Sequence, residues 1–417
     1  MTTAEEHFEL GSAAAKASNW EQAASQLRQG LALDPDAAPR WYFLLGHVLE
    51  QTRELADSAA AFGTAIERRR QPPAWWHFRY AGVQALLKEW EQAVTSYETA
   101  VARRGTELSP DWFYRLGLAY EHVGRWDDVA IAYRRGLELE PDATDAERRM
   151  LDREAREFPG RRSLLRFVQR HLSEIQDEAA RSLATGPDRT RVIYSYWAQG
   201  YDAAPDIVQR CHRRLLELSS DPVLTLDEAA MSRLVSLPPE IEARGVAPTH
   251  RTDLLRLELL ARYGGSWLDA TCLVTTDPAP VLQDLREPTG YFSFAKRRSS
   301  LATWLITSTP DHYLVRTLRA ALHCFWRRHT AVRRYFTLHY IFEALTELDE
   351  VFGRLWDDTP EVRFDRALSL RWKWDQPYDP QTYRQLFEAS FVHKLSYKFE
   401  PPQPGDDTVL AHLLETI

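Results

Sequence analysis

The sequence predicts two parts of different fold class, an all-helical repeat array followed by an α/β domain. The first observation is internal repetition, because small residues recur in steps of 35, 35 and 36 residues at Gly11, Gly46, Ala81 and Gly117. The second is a change of pattern near residue 190, where short β-rich runs begin to alternate with helical runs. A chain of 417 residues is also long for one hydrophobic core, which favours two domains.

Each of the four small residues begins the same internal pattern. A Trp or Leu follows nine residues later, at Trp20, Leu55, Trp90 and Trp126. A large apolar residue and then a second small residue come next, at Leu27/Gly30, Phe62/Ala65, Tyr97/Ala100 and Tyr133/Gly136. Small residues let two helices approach closely, and the large residue fills the groove between neighbouring pairs. The pattern resembles tetratricopeptide repeats over residues 4–142, with a generic helical bundle as the alternative.

The resemblance implies a protein partner bound through the repeats, because such arrays commonly hold a peptide or protein in a concave groove. The alternative is a purely structural role, in which the repeats pack against the next domain. A charged helical stretch and an amphipathic helix follow, and we expect capping helices and a linker over residues 143–189. The predicted domains are therefore 1–142, 143–189 and 190–417.

The third segment, residues 190–417, is predicted to fold around an α/β sheet. Residues 192–197 form a β-rich run, and residues 205–218 form a helical run with Pro205 near its start. Residues 222–226 then read as a second strand. Strand, helix and strand in this order indicate a sheet whose ligands bind beyond the carboxyl ends of its strands.

The most informative motif lies in the middle of this domain. Thr252 is a candidate cap for a helix that carries Asp253 and Arg256 at i and i+3 on one face. The Gly-Gly pair at 264–265 predicts a tight turn into a short strand that ends at Asp269. A carboxylate there, opposite an Asp–Arg pair, would form a polar site for a divalent cation, a diphosphate and sugar hydroxyls. Without this context, the Asp–Arg pair would read as a surface salt bridge.

This motif resembles the sugar-binding region of GT-A glycosyltransferases, and in particular that of capsular polysaccharide synthesis proteins. Such proteins carry an Asp-Leu-Leu-Arg-like helix, a Tyr-Gly-Gly turn and an aromatic-x-Asp strand, which here span residues 253–269. The motif is also similar to the wider DXD group, which includes yeast-type initiating mannosyltransferases and the glucosyltransferase domains of clostridial toxins. The resemblance covers residues 191–400. It implies a GT-A (Rossmann-like) fold and hexose transfer from a nucleotide sugar, a UDP- or GDP-hexose.

The resemblance also implies roles for individual residues. Trp197 matches the aromatic residue that stacks on the nucleobase. Asp253 and Arg256 match residues that contact the donor sugar and its ribose or phosphates. Trp267 lies where an aromatic residue lines the sugar pocket. These four residues, with Lys394, are therefore expected to bind the donor.

Asp269 matches the first carboxylate of the DXD motif, which ligates Mn²⁺ or Mg²⁺ and helps to bind the donor sugar. The last carboxylate of that motif is replaced, since Asp269-Ala270-Thr271 ends in a hydroxyl. Members of the capsular type resemble this variant. We expect Asp253, Arg256 and Asp269 to be catalytic.

Two later segments add candidate residues. His339 lies in a helical signature at 335–340 and is a candidate catalytic residue, with a core histidine as the alternative. His393 and Lys394 begin a segment, 393–398, that resembles a late loop supplying a metal ligand or phosphate contacts. We therefore expect His393 to ligate the metal ion with Asp269, and Lys394 to contact the diphosphate.

Composition and charge exclude several other classes of protein. The formal net charge of −8 argues against a nucleic-acid-binding surface. Three cysteines without a CxxC pair favour a reducing compartment. The N-terminus lacks a signal-peptide layout, and the longest uncharged stretch, 299–310, has 12 residues, too few to span a bilayer. We expect a cytoplasmic protein without a transmembrane segment, or one peripherally associated with the inner face of the cytoplasmic membrane.

The resemblance therefore implies a hexosyltransferase that acts on a glycan, a lipid-linked glycan or a protein hydroxyl. Because most relatives retain the anomeric configuration, retention is expected here as well. Surface or capsular polysaccharide synthesis is the expected setting, with the repeats recruiting a partner or the acceptor. One alternative is a tetratricopeptide scaffold protein with a non-catalytic sugar-nucleotide-binding domain, and another is toxin-like modification of a host protein. A basic cluster, Arg327-Arg328 and Arg333-Arg334, is expected to be a solvated helix face, with contact to a phosphorylated or lipid-linked acceptor as the alternative.

Overall fold

The chain forms two compact units, Met1–Arg162 and Ser163–Ile417. The computed structural model describes residues 2–103, 108–153, 155, 158–181, 186–297, 300–330, 336–400, 402–403 and 405–417. The division between the units falls inside the predicted capping and linker segment, within helix α10 (Phe158–Ala180). Within the described ranges, no helix is both long and apolar enough to cross a bilayer.

The described residues of the first unit form consecutive helix pairs, as the repeat pattern predicts. The first helices of the pairs are α1 (Ala4–Lys16), α3 (Pro39–Gln51), α5 (Ala74–Leu86) and α7 (Pro110–Val123). The second helices are α2 (Trp20–Leu33), α4 (Leu55–Glu67), α6 (Trp90–Ala102) and α8 (Trp126–Glu138). Helix α9 (Asp145–Arg153) follows the last pair. The Trp or Leu of each repeat is therefore the first residue of its second helix.

The repeated small and large residues form the close contacts within each pair. The large apolar residues are all buried, namely Leu27, Phe62, Tyr97 and Tyr133. A Cβ atom at Gly11 would lie 2.8 Å from the Leu27 side chain, and one at Gly46 would lie 2.8 Å from the Phe62 ring. Real Cβ atoms do not approach so closely in a packed interior, so both positions require glycine.

The turn inside each helix pair contains a residue with left-handed backbone conformation at one repeated position. These residues are Ser18, Arg53, Lys88 and Gly124, with φ of 57°, 66°, 66° and 75°. Glycine adopts this conformation without strain, whereas other residues lose about 1 kcal/mol. Three of the four turns therefore contain a residue type that the backbone disfavours.

The second unit is built around a mixed sheet. Its strands are β1 (Ile193–Tyr196), β2 (Val223–Leu226), β3 (Gly265–Asp269), β5 (Tyr291–Arg297) and β6 (Ser300–Ser308), in the order β2-β1-β3-β6-β5. Strand β1 is parallel to β2 and β3, whereas β6 is antiparallel to β3 and β5. A separate antiparallel pair joins β4 (Cys272–Val274) and β7 (Val392–Lys394).

Helices surround this sheet and complete the second unit. Before β3 they are residues 163–180 of α10, then α11 (Asp206–Leu218), α12 (Glu228–Leu234), α13 (Pro239–Glu242) and α14 (Pro248–Tyr263). After β4 they are α15 (Pro278–Arg286), α16 (Tyr313–Arg328), α17 (Thr337–Leu348), α18 (Glu350–Asp357), α19 (Asp365–Trp372), α20 (Pro380–Glu388) and α21 (Val409–Thr416). The predicted order of strand, helix and strand corresponds to β1, α11 and β2.

The strand order creates a crevice at one edge of the sheet. The chain leaves β1 through α11 to reach β2 on one side, and later enters β3 on the other side through α14. Connections that diverge in this way leave a ligand-binding crevice outside the carboxyl ends of the parallel strands. Tyr196 of β1 pairs with Asp269 of β3, so both strands end at this crevice.

Helix α14 begins one turn earlier than the sequence predicts. Pro248 occupies its first turn, where a proline costs nothing because the first backbone amides of a helix have no intrahelical partner. Thr252 therefore lies inside the helix, and its hydroxyl donates to the carbonyl oxygen of Pro248 at 2.9 Å. The prediction that Thr252 caps this helix is wrong, although the helix still carries Asp253 and Arg256 as expected.

Candidate functional site

Four charged side chains from three elements meet at the carboxyl end of β3. Asp253 and Arg256 come from α14, Asp269 ends β3, and Lys394 ends β7. The Lys394 Nζ lies 2.8 Å from Oδ2 of Asp269, and the Arg256 Nη2 lies 3.4 Å from Oδ1 of Asp269. The Arg256 Nη1 lies 3.4 Å from Oδ1 of Asp253. The cluster thus alternates in charge, with Asp269 between two cations and Arg256 between two carboxylates.

Arg256 is held rigidly in this cluster. Its side chain is only 6% exposed, and Nη1 also donates to the carbonyl oxygen of Thr303 at 2.5 Å. Its guanidinium lies 5.1 Å from the centre of the Trp267 ring, which adds a cation–π contact. Its Nε is buried and finds no hydrogen-bond partner in the part of the chain that the structure describes. A buried unpaired donor costs free energy, so Arg256 has a donor that a ligand oxygen could satisfy.

Asp269 is ionised and fixed in orientation. Burial acts to raise the pKa of Asp269, but the charges of Lys394 and Arg256 outweigh burial and lower that pKa to about 2. The Trp267 indole Nε1 donates to Oδ1 of Asp269 at 2.9 Å. The Asp269 side chain is 25% exposed, so the carboxylate is held by protein donors yet still reaches solvent.

Lys394 also binds the hydroxyl that replaces the second carboxylate of the motif. Its Nζ donates to Oγ1 of Thr271 at 2.6 Å as well as to Asp269. Burial opposes the charge of Lys394, but Asp269 outweighs burial and raises the pKa of Lys394 above its ordinary value. The ammonium group therefore stays charged and lies between the first and last side chains of Asp269-Ala270-Thr271.

This arrangement does not fit the divalent cation that the sequence predicts. Mg²⁺ and Mn²⁺ require several oxygen ligands, and carboxylates are the protein ligands that compensate their charge. Asp269 supplies the one carboxylate of the motif, and both of its oxygens already accept from Lys394, Arg256 or Trp267. A metal ion would have to enter beside two fixed cations.

The structure does not bring His393 to Asp269. Successive side chains of a strand point to opposite faces, so His393 points away from the face that carries Lys394. His393 is fully buried, and its Nε2 donates to the carbonyl oxygen of Phe387 at 2.9 Å. Burial lowers the pKa of His393, which keeps the ring neutral. His393 therefore faces away from Asp269, so this geometry gives no support to a metal ion shared by the two residues. Of the expected loop at 393–398, residues 393 and 394 belong to the strand paired with β4, and residues 395–398 follow that strand.

His339 lies near the charged cluster but takes no charge itself at neutral pH. Burial lowers the pKa of His339 to about 4, with Asp253 raising it and Arg256 lowering it to smaller extents. Its Nδ1 is buried without a hydrogen-bond partner among the described residues. His339 thus offers an unpaired ring nitrogen next to Asp253 and Arg256.

The two predicted aromatic residues lie in different surroundings. Trp197 directly follows β1 and is half-buried, with its ring edge-on to Tyr397 at a centroid distance of 5.3 Å. Trp267 is only 1% exposed, and Arg256 lies over its ring. The Trp267 ring is therefore covered by Arg256, and its indole N–H orients Asp269, whereas its expected place in the lining of a sugar pocket stays a prediction.

Two further groups join the cluster without having been assigned from the sequence. The Nδ1 of His250 lies 3.9 Å from Oδ2 of Asp253, one turn earlier on α14. The i, i+3 spacing of these two residues is a signal that could have identified His250. The carbonyl of Thr303, which accepts from Arg256, depends on the register of β6 and has no sequence signal.

The basic cluster on α16 is part of the second unit's own structure. Arg327 Nη2 lies 2.7 Å from Glu178, and Arg328 Nη2 lies 2.7 Å from Glu174. These ion pairs join α16 to α10, so neither arginine is a free solvated charge or an evident acceptor contact. Arg333 and Arg334, together with the first residue of the 335–340 signature, lie outside the described residues.

Comparison with known proteins supports both parts of the sequence analysis. The family model described as capsular polysaccharide synthesis protein matches residues 151–413, and a tetratricopeptide repeat model matches residues 8–74 and 87–146. These matches confirm the resemblances to tetratricopeptide repeats and to capsular polysaccharide synthesis proteins. No curated protein matches the chain.

Solved structures with similarity to the chain include MamA and YrrB. MamA is 21% identical, with 33% of this chain and 78% of that chain covered and a TM-score of 0.30. YrrB, described as a TPR protein with an unusual peptide-binding site, is 17% identical, with 38% of this chain and 81% of that chain covered and a TM-score of 0.32.

Proposed function

The chain belongs to the family of capsular polysaccharide synthesis proteins, and on that premise we propose that it is a nucleotide-sugar-dependent hexosyltransferase. The donor is a UDP- or GDP-hexose, and the acceptor is a hydroxyl of a glycan, a lipid-linked glycan or a protein. One observation carries the proposal. The positively charged side chains of Arg256 and Lys394 are fixed at the crevice beyond the carboxyl ends of β1 and β3. That edge of the sheet is where α/β folds bind nucleotides.

The charged cluster suits the chemistry of glycosyl transfer. When the bond between the anomeric carbon and the β-phosphate oxygen breaks, negative charge grows on the departing nucleoside diphosphate. Preorganised cations stabilise such charge without reorganising during the reaction, and Arg256 and Lys394 are both fixed by ion pairs. Asp253 is buried beside Arg256, with 11% of its side chain exposed, and its carboxylate can accept from a sugar hydroxyl. Trp197 lies beside the crevice for the nucleobase.

Retention of anomeric configuration is part of this proposal. An inverting transferase needs a base, commonly a carboxylate, that takes the proton of the acceptor hydroxyl. In this cluster Asp253 is paired with Arg256, and the pKa of Asp269, about 2, makes it a poor base at neutral pH. His339 Nδ1 can accept a hydrogen bond from a sugar or acceptor hydroxyl, which is an orienting role rather than proton abstraction.

The repeats are proposed to recruit a partner protein or the acceptor. A cavity of about 620 Å³ opens in the first unit between α3 and α5 and is lined by Phe43, Trp75 and Trp76. Arg40 and Arg69 also line this cavity, and each lies over a tryptophan ring without an ion pair among the described residues. Arg40 lies over the Trp41 ring and Arg69 over the Trp76 ring. The Nε of Arg69 donates to the carbonyl oxygen of Gln71 at 3.2 Å. Guanidinium groups without a carboxylate partner beside apolar rings suit an acidic segment that carries an apolar side chain.

The alternative is a scaffold protein with a non-catalytic donor domain. Two experiments separate these functions. The first is calorimetric titration of the full chain with UDP and with GDP, in which we expect one nucleotide to bind with micromolar affinity. Arg256→Ala should weaken that binding by about tenfold or more, because a charge-assisted phosphate contact is lost. The matched control is Arg316→Ala on α16, which removes a partly exposed ion pair with Asp311 and should leave nucleotide binding unchanged.

The second experiment follows hydrolysis and transfer of a labelled sugar from the nucleotide that binds. An enzyme should release the labelled sugar to water slowly and to an acceptor quickly. Nucleotide binding with neither reaction would favour the scaffold alternative. Absence of binding to both nucleotides by the folded protein would remove the basis of the proposed donor site.

A further inference from the structure

We propose that Lys394 takes the place that a divalent cation would occupy beside the donor diphosphate, so that this transferase binds its donor without a metal ion. The inference rests on the proposed function. Its central observation is that a single ammonium group bonds to the first and last side chains of the Asp269-Ala270-Thr271 motif. In a DXD motif those two positions carry the two carboxylates, and the resemblance implies that the first of them ligates the metal ion.

The charge of the motif matches the charge of Lys394. Threonine replaces the second carboxylate, so the motif has one negative charge for the one positive charge of the lysine. A motif with two carboxylates carries two negative charges, which a divalent cation neutralises. This motif has one carboxylate, Asp269, and one neutral hydroxyl, Thr271. The single positive charge of Lys394 therefore neutralises the single negative charge of the motif. A metal ion added to this site would introduce two uncompensated positive charges next to Lys394 and Arg256.

The backbone holds Lys394 in this position. Strand β7 pairs with β4 in antiparallel register, with Lys394 opposite Cys272, three residues after Asp269. The next residue, Leu395, donates its backbone N–H to the carbonyl oxygen of Thr271 at 2.9 Å. The lysine and the motif that it neutralises are thus parts of one small sheet. Lys394 is only 18% exposed, unlike a mobile surface lysine.

The ammonium group retains a donor for the ligand. An ammonium group has three N–H donors, and two of them bond to Asp269 and Thr271. The third donor and the unpaired Nε of Arg256 can bind phosphate oxygens. Fixed positive charges then supply what a metal ion supplies in other transferases, namely stabilisation of the departing diphosphate.

The test measures nucleotide binding by the full-length protein under controlled metal conditions. UDP and GDP are titrated calorimetrically in excess EDTA, and then in millimolar Mn²⁺ or Mg²⁺. We expect the affinity of the bound nucleotide to change by less than about twofold between these conditions. Binding that appears only with metal, or that strengthens about tenfold with it, would overturn the role of Lys394 while leaving the proposed function intact. Absence of nucleotide binding under every condition would overturn the proposed function and this inference together.

Substitutions at Lys394 and Thr271 test the inference independently of the metal titration of the wild type. Lys394→Met should weaken nucleotide binding about tenfold in EDTA, whereas Lys373→Met, at an exposed lysine of the same unit, should not. The double variant Thr271→Asp/Lys394→Met restores two carboxylates and removes the ammonium. We expect this double variant to bind Mn²⁺ and to regain nucleotide binding only when Mn²⁺ is present. Tight Mn²⁺ binding by the wild-type chain without nucleotide, if it is lost in Asp269→Asn, would contradict the inference.

Discussion

His339 differs from the other residues of the cluster because it is neutral when they are charged. Its pKa of about 4 in the folded chain lies below the ordinary value of 6.5. The unfolded chain therefore binds a proton at this residue at a higher pH than the folded chain does, and acid favours unfolding. The contribution of neutral His339 to stability is present above pH 6.5 and is lost as the pH falls towards 4.

The free energy of unfolding should therefore depend on pH more strongly in the wild type than in His339→Gln. Between pH 7 and pH 5 the wild type should lose about 2 kcal/mol more of its free energy of unfolding than the variant does. Urea denaturation at a series of pH values, followed by tryptophan fluorescence, measures this difference. His7→Gln, in the first unit, is the control and should follow the wild type. Parallel pH dependence of the wild type and His339→Gln would show that the folded chain does not hold this imidazole neutral.

Site residues could be grouped from the sequence when they lie close together along the chain, and not when they lie far apart. Asp253, Arg256 and Asp269 lie within 16 residues on one helix, turn and strand, so local spacing was enough to group them. Lys394 is 125 residues away from Asp269, and only the resemblance suggested that it contacts the ligand. Its neighbour His393 was grouped with Asp269 because a loop leaves the direction of a side chain open. A strand does not, since adjacent residues must face opposite sides.

Among the elements of the second unit, the turn from α14 into β3 controls where Asp269 lies. Gly265 has φ of 101°, and a Cβ atom there would lie 2.6 Å from the Tyr194 ring and 2.7 Å from the carbonyl oxygen of Val192. Both the backbone conformation and the space therefore exclude a side chain. Gly245 also has a positive φ, 62°, but no atom lies within 4 Å of the position that its Cβ atom would occupy.

The contrast between these two glycines is a second prediction. Gly265→Ala should reduce the free energy of unfolding by about 3 kcal/mol or more, because it adds steric overlap to backbone strain. Gly245→Ala should cost about 1 kcal/mol, since it adds backbone strain alone. Thermal unfolding measures both, and nucleotide binding of the surviving folded protein reports whether Asp269 has moved. Similar losses in the two variants would mean that the turn tolerates a side chain and does not position β3.

Elements with a strong period were predictable, and elements defined by tertiary context were not. The repeat helices follow from residues spaced at a constant step, which fixes both their number and their phase. The left-handed turn residues Ser18, Arg53 and Lys88 had no signal, because only the fourth repeat has glycine there. Residues 299–310 were noted only as too short to span a bilayer, yet Ser300–Ser308 forms β6. A short apolar run does not by itself distinguish a buried strand from other buried segments.

For the whole molecule, the two proposed activities lie in different units. The charged cluster consists of residues of Ser163–Ile417, and the apolar cavity consists of residues of Met1–Arg162. Substitutions that share no contacts usually act additively. A change confined to the cavity should therefore leave donor chemistry unchanged, whatever it does to recruitment. This separation distinguishes a transferase with a recruiting unit from a protein whose repeats serve only as structure.

The corresponding prediction concerns Arg69→Glu combined with Trp75→Ala in the cavity. In cells that produce this variant we expect surface polysaccharide to fall about fivefold or more, because the charge reversal repels an acidic segment and the truncation removes its apolar contact. Affinity of the purified variant for UDP or GDP should stay within about twofold of the wild type. The control is Arg135→Glu with Trp126→Ala, since Trp126 is 45% exposed and Trp75 is 44% exposed. Equal polysaccharide from both variants would contradict recruitment through the cavity, and weaker nucleotide binding in the cavity variant would contradict the independence of the two units.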